Sequence, residues 1–199
     1  MKRMFTAIAL LFTISSFAQS TKQSLVPAEL LTSDSTYWTI STISGVNYVN
    51  TTPGYNYGTV TSGGGMIVNF KFLPNGRYLF QLYVQSNMYS SRLESWTEIE
   101  GSVVFSKDAN GQDIFSTKAE KGRYRMYRNG DIKIRDVSAD ELKNQHSTTY
   151  LWQKTKLKDD PNNIYLLMVD LKKYPNANVK KQGTITADMV SKFHVPDKR

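Results

Sequence analysis

Cysteine is absent from the 199 residues of this chain, and histidine occurs only twice, at His146 and His194. The lack of cysteine excludes disulfide bonds, thiolate chemistry, Cys-ligated zinc, iron–sulfur clusters and a lipid-modified N-terminal cysteine. Two histidines are too few for a multi-histidine metal site. Both are expected in exposed loops, one after a short helix and the other in the C-terminal tail. The sequence therefore predicts neither a metal site nor another cofactor.

Motifs of catalysis are missing as well. The chain contains no G-x-S-x-G elbow and no H-E-x-x-H sequence. Gly63–Gly65 precedes neither a helix nor a Lys-Ser/Thr pair, so it indicates a loop rather than a phosphate site. Glu98 and Glu100 share one predicted strand face, whereas the two carboxylates of a glycosidase usually come from different elements across a cleft. We expect no catalytic residue, and the sequence favours a binding or interaction protein over an enzyme.

Long apolar runs are rare, and the longest stands at the N-terminus. It extends over Met4–Ile14, follows the positive residues Lys2 and Arg3, and is followed by small residues that end at Ala18. This is the three-part pattern of a cleaved secretory signal, predicted over residues 1–18. The run falls well short of the ~20 residues of a spanning helix, and no second run approaches that length. The sequence predicts a protein without a membrane span, in the bacterial periplasm or outside the cell.

Acidic residues are fewer than basic ones, 17 against 25, which gives a formal net charge of +8. One predicted strand concentrates this charge, because Arg123, Arg125 and Arg128 alternate there with Tyr124 and Met126. On one interpretation these arginines hold an anionic group of a ligand, and on the other they form a solvated outer face. Nucleic-acid binding needs basic and aromatic side chains on one platform. Here they alternate between faces, so no nucleic-acid partner is expected.

A two-residue period dominates the chain after Thr36. The clearest pair of strands lies on either side of Leu73–Gly76, where Pro fixes φ and Asn-Gly accepts a left-handed conformation. Asn129–Gly130 marks another hairpin. Similar segments follow at hairpin spacing, about eight or nine strands in all, and no predicted helix is long enough for a parallel crossover. The sequence therefore predicts an all-β fold, an antiparallel sandwich or barrel.

Two short helical patterns interrupt the strands. Ser138–Glu141 has the sequence of a capping box and predicts a helix that ends near Gln145. A weaker helical pattern covers Ala187–Phe193. Residues 19–35 are polar, with several Ser and Thr, and predict a flexible N-terminal arm. Beyond the signal, the expected organisation is this arm and a single domain over residues 36–199.

Several short motifs follow one another along this domain: Tyr37-Trp38-Thr39-Ile40, Ser44-Gly45-Val46-Asn47-Tyr48, Phe70–Tyr78 with its Pro-Asn-Gly turn, Lys121-Gly122-Arg123-Tyr124 and Tyr150-Leu151-Trp152. Through this order, over Tyr37–Leu171, the chain resembles a group of exported bacterial lipocalin-like proteins of unassigned function. The resemblance implies a small up-and-down, calycin-like β-barrel of about eight strands. Such a barrel either holds one small ligand or is filled by its own side chains, and the sequence leaves both alternatives open.

Aromatic residues are abundant, with 12 Tyr, 9 Phe and 3 Trp. Tyr combines an apolar ring with a polar tip, which suits a cavity for a mixed ligand. Trp38 has a second interpretation, as a structural plug at one end of the barrel, and Trp96 shares a face with Glu98, which predicts a rim or exterior position. The predicted ligand-binding residues are inward-facing aromatics and two arginines of the basic strand: Trp38, Phe70, Phe80, Tyr124, Tyr150, Trp152, Arg123 and Arg125.

Two functions remain open from the sequence. The first is an exported binding protein that holds a small apolar or amphipathic molecule in a β-barrel cavity. The second is a packed barrel that binds a protein or a surface glycan through Tyr-rich loops at residues 48–61 and 89–95. The composition of those loops is typical of recognition loops.

Overall fold

The computed structural model describes residues 24–48, 60–88 and 91–196. The predicted signal lies outside these ranges, together with residues 19–23 of the predicted arm. Tyr55, Tyr57 and Tyr89 of the predicted recognition loops also lie outside the described residues.

The described residues form nine strands, one α-helix and two short 3-10 turns. The strands are β1 (Trp38–Tyr48), β2 (Val60–Leu73), β3 (Arg77–Met88), β4 (Ser91–Lys107), β5 (Asp113–Arg128), β6 (Asp131–Asp136), β7 (Thr149–Leu157), β8 (Asp160–Asp170) and β9 (Ser191–Pro196). The helix is α1 (Ala139–Gln145), and the 3-10 turns cover Ala28–Leu30 and Ala187–Met189. All strand pairs are antiparallel, so the prediction of an antiparallel all-β fold with a short helix is confirmed. No helix within the described ranges has both the length and the apolar character needed to cross a bilayer.

Eight of the strands form a hydrogen-bonded ring in the order β1–β2–β3–β4–β5–β7–β8–β9. β9 returns to β1 where Thr39 pairs with His194, and β7 pairs with the first part of β5, from Ile114 to Ser116. The remaining strand, β6, pairs with the last part of β5 and stands outside the ring. Because β5 changes neighbours along its length, the ring is closed over only part of the long strands, and β2 to β5 continue beyond it.

The C-terminal segment differs from the prediction. Only Ala187–Met189 is helical, as a single 3-10 turn, and Ser191–Pro196 is the strand that closes the ring. Phe193 is buried while its two neighbours are more exposed, and this alternation is typical of a strand. Hydrogen bonding to β8 therefore outweighs the weak helical pattern. The expectation that His194 lies in an exposed tail is wrong, because this residue pairs with both β1 and β8.

Two of the three Asn-Gly sequences, at the β2–β3 and β5–β6 turns, illustrate hairpin turns that lie where the sequence predicts them. The β2–β3 turn contains Gly76 at a φ of 74°, a conformation that side chains with a Cβ rarely adopt. The β5–β6 turn has Asn129 at 50° and Gly130 at 102°. Positive φ at two successive residues is the backbone of the hairpin turns that follow the twist of the strands. Both hairpins are therefore specified locally.

Aromatic side chains fill the closed part of the ring. The ring centroids of Phe72 and Phe115 lie 5.3 Å apart in an edge-on arrangement, and Phe70 stacks on Tyr78 at 5.3 Å. Edge-on and stacked pairs at such distances add stability beyond the burial of area. The largest fully buried side chains are Trp38, Tyr78, Phe72, Phe115, Leu30, Ile99 and Leu166.

The segment before β1 covers one end of the ring. The backbone N–H of Leu25 donates a 3.0 Å hydrogen bond to the carbonyl of Pro74, which places the segment beside the β2–β3 turn. Val26 and Leu30 are buried in the core, and Nε1 of Trp38 donates to the carbonyl of Leu30 at 2.9 Å. The described part of the predicted arm therefore packs against the ring and closes it at this end.

The helix α1 also covers the core, farther from the β2–β3 turn than the N-terminal segment does. Leu142 of the helix and Val137 before it are buried in the core. The predicted capping box is present, because the Ser138 hydroxyl accepts from the N–H of Glu141 and the Glu141 carboxylate accepts from the N–H of Ser138. The aromatic core thus lies between the N-terminal segment and α1.

Candidate functional site

The inner face of β2 changes from buried to exposed along the strand. Phe72 is 1% and Phe70 is 3% exposed, Val68 is half-buried, and Met66 is 39% exposed. Alternate residues of a strand point to the same face, so these four side chains belong to one side of the sheet. The ring is therefore filled near the β2–β3 turn and opens toward the end of the β3–β4 pair where Met88 pairs with Ser91.

Two rows of paired residues on β2 to β5 line this open part, and we call them the open inner face. Residues paired directly across neighbouring strands point to the same side of the sheet. Apart from the exposed Met66, the members of both rows are half-buried. The rows consist of Val68, Leu82, Thr97 and Tyr124, and of Met66, Val84, Ser95 and Met126. The face is mainly apolar and carries three hydroxyl groups.

Arg135 of β6 borders the open inner face. Its guanidinium carbon lies 5.1 Å from the centroid of the Tyr124 ring. Its two terminal nitrogens each donate a 2.8 Å hydrogen bond to the Glu141 carboxylate. These bonds, with those from Ser138, lower the pKa of Glu141 to about 2. Arg135 beside Tyr124 thus belongs to a neutralised ion pair, whereas Lys133, which pairs with Met126 on the same side of the sheet, forms no ion pair within the described residues.

Most of the predicted aromatic site residues belong to the packed core or lie against it. Trp38 and Phe70 are fully part of it, in line with the interpretation of Trp38 as a structural plug. The partly buried members that pack against the core are Phe80, Tyr124, Tyr150 and Trp152. Of the six, Tyr124 alone extends into the open inner face. Strand parity indicates which side chains point inward, but it does not indicate how far along the strand the packing ends.

Arg123 and Arg125 lie exposed on the outer face of β5, across the sheet from Tyr124. Successive residues of a strand point to opposite faces, and the described strand is regular at this point. The two arginines therefore share no ligand with the aromatic residues of the inner face, and the eight predicted residues do not form one site.

A small cavity of about 70 Å³ remains inside the ring, lined in part by Tyr78, Phe80, His146 and Tyr150. Burial raises the pKa of Tyr78 to about 12 and raises the pKa of Tyr150 as well. The expectation of an exposed His146 is wrong, because its ring lies half-buried, 6.4 Å from the Phe80 ring, and burial lowers its pKa. Pockets for small molecules measure roughly 300–1,000 Å³, so this cavity is of a size for water.

The outer face of β2, β3 and β4 carries a groove of about 360 Å³, here called the Tyr83–Trp96 groove. Tyr83 and Trp96 are paired directly across β3 and β4, and their ring centroids lie 5.1 Å apart with a tilt of 39°. On the next strand the guanidinium carbon of Arg125 lies 5.4 Å from the Trp96 ring. These contacts hold the two rings as one aromatic wall.

The next row of paired residues forms the polar side of the groove, with Asn69, Gln81 and Glu98. The Thr39 hydroxyl donates to Oδ1 of Asn69 at 2.9 Å, and Nδ2 of Asn69 donates to Oε1 of Gln81 at 3.3 Å. This chain of hydrogen bonds orients both amides. Because the Gln81 oxygen accepts from Asn69, its amide nitrogen is left as a donor beside the groove.

The sequence predicts a rim or exterior position for Trp96 but does not connect this residue with Tyr83. The signal that connects them is their equal distance from the β3–β4 turn, which puts them opposite each other in a hairpin. That turn has no Asn-Gly or Gly-rich sequence, so the register of the hairpin was not evident from its residues.

A second outer groove, of about 540 Å³, is lined mainly by charged side chains: Glu98, Glu100, Glu120, Lys121, Arg123 and Asp136. Two of its carboxylates are paired, Glu100 with Nζ of Lys121 at 2.8 Å and Glu120 with Arg77 at 2.5 Å. Exposed pairs of this kind contribute little to stability and are typical of a solvated surface.

The described ranges contain no group of three or more acidic or histidine side chains arranged to hold a metal ion. Within these ranges, the open inner face and the Tyr83–Trp96 groove both combine apolar or aromatic surface with polar groups, which is the chemistry of binding sites. No protein family, curated protein or solved structure matches this chain.

Proposed function

We propose that this chain is an exported, lipocalin-like binding protein that holds one small apolar or amphipathic molecule on the open inner face. The observation that carries the proposal is the change along β2 from the buried Phe70 to the exposed Met66 on one side of the strand. These apolar side chains point inward yet remain in contact with solvent. A ligand that covers them stabilises the complex by about 25 cal/mol per Å² of apolar surface removed from water.

The composition of the face favours a mainly apolar ligand with a small polar part. Leu82 and Val84 offer apolar surface, while Thr97 and Tyr124 bring hydroxyl groups to the same side of the sheet. Arg135 at the border is already bound by a carboxylate, so a negative ligand would have to displace that partner or pair with Lys133 beside Met126. A neutral, mainly apolar molecule needs no such exchange.

Nile red, an uncharged dye whose emission increases in apolar surroundings, tests the proposal. We expect saturable binding to the wild-type chain and its loss in Val84→Glu, because burial of a carboxylate under an apolar ligand is costly. Val104→Glu is the matched control, since Val104 lies on the outer face of β4 and is 65% exposed. This variant should bind the dye like the wild type.

Melting curves of both variants identify any loss of fold. Absence of saturable dye binding to the wild type would contradict the proposal, as would unchanged binding by a folded Val84→Glu protein. Native mass spectrometry of the purified chain adds a second readout, in which a co-purified apolar molecule supports the inner-face site.

The proposed export rests on the three-part pattern of residues 1–18. When the full sequence is expressed in a Gram-negative host, the intact mass of the periplasmic protein should correspond to a chain that begins at Gln19. A protein that keeps Met1 and stays in the cytoplasm would contradict this part of the proposal.

A further inference from the structure

The Tyr83–Trp96 groove joins two chemically different walls on the outer face of the sheet. One wall is aromatic, with two rings 5.1 Å apart, and the other is the polar row that contains Gln81 and Glu98. Sugar rings have the same two kinds of surface, since their faces present C–H groups and their edges present hydroxyls. The negative face of an aromatic ring attracts the weakly positive C–H groups.

The polar wall matches the hydrogen bonding of sugar hydroxyls. Each hydroxyl donates one hydrogen bond and accepts others, so it fits between a donor and an acceptor. Gln81 supplies the donor, because its oxygen is already used by Asn69. Glu98 supplies the acceptor, and its carboxylate takes part in no ion pair or hydrogen bond within the described residues.

The charge and the size of the groove narrow the ligand class. Glu98 is the one charged side chain among its lining residues, and the guanidinium of Arg125 lies against Trp96, so the two opposite charges give the groove no net attraction for an acidic ligand. The volume of about 360 Å³ lies at the lower end of the range for small-molecule pockets, roughly 300–1,000 Å³. A lipid tail would leave the polar row without partners, which is costly.

We propose that the Tyr83–Trp96 groove binds a neutral saccharide, with a sugar ring against the aromatic wall and its hydroxyls between Gln81 and Glu98. The side chains of both walls lie on the opposite side of the sheet from the open inner face, and Leu82 and Thr97, whose side chains point to that inner face, complete the lining of the groove. The saccharide site therefore goes beyond the proposed function and uses different side chains.

Native affinity electrophoresis of the full chain tests this site with soluble neutral polysaccharides: β-glucan, xylan, galactomannan and starch. At least one of these should retard the wild type. Trp96→Ala should raise the Kd at least ten-fold, because the aromatic wall is lost, and Trp96→Phe should keep most of the binding. Gln81→Ala and Glu98→Ala should each weaken binding several-fold.

Three controls make the result decisive. Val104→Ala changes an exposed residue of the same face outside the groove and should bind like the wild type. Melting curves show whether Trp96→Ala folds, and if it does not, Glu98→Ala carries the test. Pectin, an acidic polysaccharide, reports non-specific attraction to this basic chain, whose isoelectric point is about 9.5.

Failure of all four neutral polysaccharides to retard the wild type would overturn the saccharide site, as would binding that Trp96→Ala and Glu98→Ala leave unchanged. Binding of pectin alone would also overturn it. Nile red binding should be the same in Trp96→Ala and wild type. Failure of the saccharide site is therefore distinguishable from failure of the inner-face proposal.

Discussion

The indole nitrogen of Trp38 donates a 2.9 Å hydrogen bond to the backbone carbonyl of Leu30, and both residues are almost fully buried. This bond ties the N-terminal segment to the first strand of the ring at the end that the segment covers.

Trp38→Phe should lower the free energy of unfolding by at least about 1–3 kcal/mol, because it leaves the buried Leu30 carbonyl without a donor. Urea unfolding followed by circular dichroism measures the change. Trp96→Phe is the matched control on the outer face, where surface substitutions usually change stability by about 0.5 kcal/mol or less. Equal effects of the two substitutions would show that the Leu30 bond is unimportant for stability.

Tyr78→Phe should leave the free energy of unfolding unchanged or increase it by up to about 1–3 kcal/mol. The Tyr78 hydroxyl is buried, and its contact with the Thr117 side chain falls outside hydrogen-bond geometry, so its removal ends a desolvation cost. Tyr165→Phe is the matched comparison, because that hydroxyl donates to Oδ2 of Asp160 at 2.5 Å. We expect Tyr165→Phe to be destabilising. If chemical unfolding showed Tyr78→Phe to be the less stable of the two variants, the Tyr78 hydroxyl would not be an unsatisfied buried group.

Gly101→Ala should be strongly destabilising. A Cβ at this position would lie 2.8 Å from Cε1 of the buried Tyr78 and even closer to the carbonyl oxygen of Lys118 across the β4–β5 pair. Overpacking of a core typically costs about 1–3 kcal/mol, and backbone contact leaves little room for relief. Ser106→Ala, on an exposed position of β4, is the control. A melting temperature of Gly101→Ala equal to that of the control would refute the close approach.

Glu141→Gln should flatten the acid dependence of stability. The hydrogen bonds from Arg135 and Ser138 lower the pKa of Glu141 from its ordinary value of 4.5 to about 2. Between these values the unfolded chain binds more protons than the folded chain, so stability that is present above pH 4.5 is lost as the pH falls toward 2. Gln still serves the capping box but does not titrate.

Melting temperatures of wild type and Glu141→Gln between pH 2 and 6 measure this difference. Ser138→Ala removes part of the hydrogen bonding to Glu141 and should give an intermediate slope. Parallel curves for all three proteins would show that Glu141 contributes nothing to the acid sensitivity.

Local signals predicted the hairpins and the capped helix because each depends on a few neighbouring residues. Gly76 and Asn129–Gly130 require positive φ, and Ser138 and Glu141 satisfy each other's backbone N–H groups. These features can be read from the sequence without knowledge of the rest of the fold.

Features that depend on distant contacts were not predictable in this way. Leu30 lies in a polar segment that reads as an arm, yet it is fully buried through its contact with the ring. The opening of the inner face depends on where α1 ends the packed core, and the Tyr83–Trp96 groove depends on the register of a hairpin without a marked turn. In each case the deciding contact joins residues that no local pattern relates.

The ring is completed by the single residue pair of Thr39 and His194, whereas each of its other junctions extends over three or more pairs within the described residues. Local opening requires least free energy where the fewest bonds are lost. Among the junctions of the ring, amide hydrogen exchange should therefore be fastest along this seam. Its transient separation converts the ring into a single open sheet whose aromatic core faces water.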